Sequence, residues 1–89
     1  MAASENVIID VVSPAQVRAA RGLIGWTQQD LADASGIPKR TIARIELGGA
    51  PQRRTILAVQ EALEKAGVSF IASNGGGPGV RLREAQPPA

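Results

Sequence analysis

The stretch Leu31-Ala32-Asp33-Ala34-Ser35-Gly36-Ile37, with Ile42 and Ile45 after it, constrains the fold of this chain more than any other segment. Small Ala32 stands four positions before Gly36, branched Ile37 follows the glycine, and Ile42 and Ile45 come six and nine positions after it. Ala32 suits a close crossing of two helices. Gly36 supplies a residue that takes positive φ without a Cβ clash. Leu31, Ile37, Ile42 and Ile45 then close the wedge between the two helices. That fixes the angle at which the later helix is held out to solvent.

The flanking sequence supplies the remaining elements. Residues 7–12, β-branched and apolar around Asp10, read as a short strand or arm occupying 1–12. Ser13-Pro14 is an N-cap followed by a first-turn proline, which starts a first helix. Val17, Ala20, Leu23 and Ile24 recur along it at helical spacing, and Gly25 ends it near Trp26. Thr27 caps a second, short helix at about 28–35 with Asp30 in a variant capping box, and Leu31 and Ala34 are expected on its buried side. A third helix is expected at about 38–47, and a fourth at about 53–66 with Ile56, Val59, Leu63 and Ala66 as its apolar stripe. Val68-Ser69-Phe70-Ile71 and Val80-Arg81-Leu82-Arg83 alternate like strands around Asn74-Gly75-Gly76-Gly77-Pro78-Gly79, which suggests a β-hairpin over 68–84. Residues 85–89 are expected to fray.

Composition narrows the chemistry. With no cysteine and no histidine, the chain lacks disulfides, thiolate or imidazole metal ligands and the usual general base. GGGPG has neither the lysine nor the helix of a phosphate-binding loop, so no enzyme and no cofactor is expected. The first residues carry acids and no basic n-region, and no apolar run approaches the roughly 20 residues that cross a bilayer. A cytoplasmic protein without membrane contact is the expectation. The net charge of +2 is modest. Its distribution is not: Lys39, Arg40, Arg44, Arg53 and Arg54 cluster against Glu46 alone, a local basic surface that suits a polyanion.

At RGLIGWTQQDLADASGIPKRTIARIELG the chain resembles the phage-repressor-like, Xre-type family of helix-turn-helix regulators, over roughly residues 14–66. The resemblance implies a mainly α fold, with a four-helix domain over 13–67 that binds double-stranded DNA and a recognition helix at about 38–47 set in the major groove. It implies base contacts from the outward face of that helix, at Lys39, Arg40 and Arg44. Arginine there suits bidentate pairing with guanine O6 and N7, worth about 1–3 kcal/mol against a wrong base. Thr41 is read either as a thymine or phosphate contact or as a helix cap. Gln28 corresponds to a phosphate-contacting position at the start of the second helix, and Arg53 and Arg54 look like a phosphate clamp that sets the docking angle. Glu46 would repel phosphate, and the resemblance implies an ion pair with Arg21 that locks the third helix. Two departures stand out: Pro38 where the family has a Ser or Thr cap, and Leu47 where a polar residue commonly follows the glutamate.

A chain this short buries only roughly 60% of the surface its unfolded form exposes, so association is a natural remedy. Phe70, Ile71, Val80 and Leu82 of the hairpin are expected at a homodimer interface, with residues 7–12 as a candidate added strand. The other reading folds the hairpin back onto its own helices. The function expected is therefore a homodimeric transcriptional regulator, a repressor at a palindromic operator. The alternative is a DNA-binding antitoxin of a toxin–antitoxin pair that also grips a partner protein.

Overall fold

A computed structural model of the protein describes residues 11–73 and 75–84. It contains α1 (Pro14–Ile24), α2 (Gln28–Ser35), α3 (Lys39–Glu46), α4 (Arg53–Lys65), β1 (Val68–Ile71) and β2 (Gly79–Leu82). The fold is mainly α with a C-terminal antiparallel hairpin. Residues 1–10 of the expected arm and residues 85–89, expected to fray, lie outside the described residues. Val11 and Val12 form no strand, but Val12 is buried in the core.

Local chemistry accounts for where each helix starts and stops. Ser13 and Gln16 form a reciprocal capping box at α1: the Ser13 hydroxyl accepts from Gln16 N–H, and the Gln16 carboxamide accepts from Ser13 N–H at 2.8 Å. Thr27 and Asp30 do the same for α2. α3 begins one residue later than expected, because Pro38 is its N-cap and offers no side-chain bond. Gly36 ends α2 at φ +76°, and its N–H donates to the Ala32 carbonyl. The sharp turn between α2 and α3 therefore depends on a left-handed residue.

Those helices enclose one core of Val12, Val17, Ala20, Leu31, Ala32, Ile42, Ile45, Ile56, Val59, Ala62, Leu63 and Val68, with Ile24, Trp26, Ile37, Phe70 and Val80 packed against it. Two expectations need correction. On α2 it is Ala32 that is buried, while Ala34 is exposed. Ala34 lies two residues past Ala32, and on a helix that displacement turns it to the opposite side from the crossing. Leu23 is likewise exposed near the end of α1, and Ile24 takes the inward position.

The hairpin pairs Val68 with Leu82, Ser69 with Arg81, Phe70 with Val80 and Ile71 with Gly79. It packs on α1 and α4. Alternation puts Val68, Phe70, Val80 and Leu82 on its inner face, and leaves Ile71 on the outer one. Gln16 ties the loop end down, its Nε2 donating to Gly79 O at 2.9 Å and Ile71 O at 3.3 Å. At the other end Arg83 N–H donates to Gly67 O, and its guanidinium donates to Glu64 O.

A Cβ on Gly36 would meet nothing within 4 Å. Gly36→Ala is therefore expected to cost only left-handed backbone strain, about 1 kcal/mol in urea denaturation, and Gly36→Asn less. A loss above about 3 kcal/mol would mean that packing, not φ, demands the glycine.

Candidate nucleic-acid interface

α3 divides sharply between its two sides. Ile42, Ile45 and Glu46 are buried, whereas Lys39, Arg40 and Arg44 are exposed. Thr41 and Ala43 lie half-buried between them. Arg40 and Arg44 are one turn apart and so share the outward face. Beyond the loop at residues 47–52, Arg53 and Arg54 are exposed in the first turn of α4. Among the described residues none of these five cations forms an ion pair.

The acid nearest them in sequence is withdrawn from that surface. The Glu46 side chain is only 4% exposed. Its carboxylate receives Arg21 as a two-pronged fork, Nε to Oε2 at 2.7 Å and Nη2 to Oε1 at 2.8 Å, and Gln28 Nε2 adds a third bond to Oε1 at 3.0 Å. Arg21 also donates from Nη1 to Trp26 O at 2.9 Å. Arg18 donates to the backbone carbonyl of Glu46, which puts a cation at the negative end of α3. One carboxylate thus joins α1, the start of α2 and the end of α3.

The electrostatics follow from that arrangement. Burial by itself pushes the Glu46 carboxyl up. Hydrogen bonds from Arg21 and Gln28 and the charges of Arg21 and Arg18 outweigh it, so the pKa falls below the ordinary glutamate value. Arg21 moves the other way: its hydrogen bond to Glu46 raises it against the cost of burial. Both groups are ionised at neutral pH, and the fork is charge-assisted at each end.

The structure thus brings Lys39, Arg40, Thr41 and Arg44 together on α3 and sets Arg53 and Arg54 at the neighbouring helix start. Gln28 sits at the first residue of α2 with its amide nitrogen committed to Glu46. Arg21 and Glu46 are partners. The hairpin residues Phe70, Ile71, Val80 and Leu82 are all half-buried, and Phe70 and Val80 pack against the core of their own chain.

Sequence reasoning missed Gln16 and Arg18. Ser13-Pro14-Ala15-Gln16 carries the capping-box spacing and could have exposed the first half of the Gln16 role. Nothing local could have exposed its bonds to residues 55 and 63 positions away. Arg18 has the same difficulty, since its acceptor is a backbone carbonyl on another helix.

Comparison with known proteins adds one match. Residues 17–69 fit a family model described as helix-turn-helix, which spans all four helices from early α1 and reaches into β1. No curated protein matches the chain. No helix among the described residues is long and apolar enough to cross a membrane.

The depressed Glu46 pKa fixes the sign of an acid effect. A carboxyl whose folded pKa lies below its unfolded one contributes stability that is complete above the unfolded value and is lost as pH falls through the folded value. Unfolding free energy should therefore drop from about pH 4 downward. Glu46→Gln should flatten that part of the curve while lowering stability at pH 7. An unchanged acid slope in the variant would remove Glu46 as its source.

Proposed function

The chain belongs to the Xre-type helix-turn-helix family of DNA-binding transcriptional regulators, a regulatory and not an enzyme family, and on that premise we propose that it is a repressor that binds a palindromic operator as a homodimer. The observation that carries this reading is the group of five exposed cations on α3 and the start of α4, left without an acid because Glu46 is turned inward. Lys39, Arg40 and Arg44 read base edges in the major groove, with Arg40 or Arg44 forking onto guanine O6 and N7. Thr41 contacts the edge of the same groove. Arg53 and Arg54 grip phosphate and set the docking angle, and the α2 start at Gln28 offers its backbone N–H to another phosphate.

Homodimerisation is supported by the hairpin. A two-stranded sheet leaves each strand with one edge unpaired among the described residues, and such edges invite a further strand. Three of the four residues assigned to the interface, Phe70, Val80 and Leu82, lie on the inner face. In this reading a second copy therefore adds along a strand edge beside Ile71, and the apolar inner face stays on α1 and α4. Two-fold symmetry would hold two copies of α3 about 34 Å apart, on successive major grooves.

Selection of bound sequences from random duplexes tests the whole reading. A palindrome with half-site centres about 10 base pairs apart is expected. An asymmetric site or no enrichment would overturn the homodimer on an operator.

Single substitutions separate the two kinds of contact. Arg44→Ala should weaken binding to the selected duplex roughly tenfold and binding to a scrambled duplex much less. Arg54→Ala should weaken both alike and reduce the slope of log affinity against log salt by about 1 per copy. Equal losses in Arg44→Ala would make it a backbone contact.

A further inference from the structure

Among the described glycines, Gly49 alone has no room for a side chain. A Cβ there would lie 2.7 Å from Arg44 Cγ and 2.9 Å from Arg44 O, closer than real Cβ atoms approach. Its φ is not left-handed, so backbone conformation does not demand a glycine. The Gly49 N–H donates to that same Arg44 carbonyl at 2.9 Å, where Leu47 N–H also donates at 3.2 Å. The loop after α3 is thereby hydrogen-bonded at its start to Arg44 and seated on the aliphatic stem of that residue. Thr41, Gln52 and Thr55 line the same cleft, so the contact lies between α3 and the start of α4.

The guanidinium of Arg44 makes no hydrogen bond or ion pair among the described residues, and the residue is exposed. An arginine with a free head and a seated stem is held at one end only. We infer that Gly49 is a positioning residue for Arg44: its bare Cα lets the loop restrain the arginine stem before DNA arrives. This inference rests on Arg44 reading a base. A long side chain restrained in advance gives up less rotamer freedom on binding, and a bidentate fork tolerates little misplacement. Gly49 touches neither base nor phosphate in this role. It acts through Arg44, and its effect is on selectivity.

The test is a double-mutant cycle read on two probes, the duplex recovered by selection and a scrambled duplex of equal length. Gly49→Ala is expected to lower affinity for the selected duplex roughly tenfold, with less than about twofold change on the scrambled one. On an Arg44→Ala background it is expected to add no further loss of selectivity. The clash with the Arg44 carbonyl is common to both backgrounds, so the cycle isolates the side-chain contact. Equal losses of selectivity in both backgrounds overturn the inference, as does unchanged selectivity in Gly49→Ala. If Arg44→Ala itself leaves selectivity intact, base reading by Arg44 fails and this inference fails with it. If Arg44→Ala loses selectivity and Gly49→Ala keeps it, only the role of Gly49 is lost.

Should Gly49→Ala not fold, side-chain relaxation of the unmodified, DNA-free protein decides. The Cγ of Arg44 is expected to be more ordered than that of Arg40 on the nanosecond timescale. Equal order overturns the inference.

Discussion

The buried carboxylate of Glu46 is the point on which the exposed cationic face of α3 depends. It receives Arg21 in a two-pronged fork and Gln28 in a third bond, while the carbonyl of the same residue receives Arg18. Three helices meet at one residue. A buried charge is costly unless fully paired, so this geometry tolerates few alternatives. In the proposed function the consequence is indirect but large: locking the last turn of α3 orients Arg40 and Arg44, and withdrawing the acid leaves only cations among the charged side chains that the described α3 exposes. Packing thus removes a negative charge from that face without changing the composition of the segment.

The turn at Gly36 and the fork at Glu46 hold opposite ends of the same helix. At the first end, φ of +76° redirects the chain, and Ile37 and Ile42 fill the wedge. At the second, ionic and hydrogen-bonded contacts fasten the exit. Between them α3 needs little intrinsic helix stability, which suits an eight-residue helix with no side-chain cap at Pro38. Gly49 then extends the control from the helix to a side chain, because the loop leaving α3 turns back onto the Arg44 stem.

The hairpin has a structural duty within its own chain. Val68 is fully buried, Phe70 and Val80 pack on the core, and Gln16 links the capping box of α1 to the Ile71–Gly79 pair. The start of the first helix and the loop end of the hairpin are thus one unit. Arg83 secures the other end by bonds to Gly67 and Glu64. A short chain gains core area in this way by closing its C-terminal strands over its own helices.

The capped starts of α1 and α2, the turn and the division of α3 into two faces were all legible in the sequence, because each follows from neighbours within one or two turns. Ser13, Thr27 and Gly36 act through local backbone geometry. Ile42 and Ile45 against Arg40 and Arg44 follow from helical period alone. The pairing of Arg21 with Glu46 was legible only through family resemblance, since 25 residues separate the partners. Packing decided the rest. Where Gln16 sends its amide and where Arg18 finds an acceptor both depend on the distance between elements. Distance between elements is set by the whole core, and no local window of sequence contains it.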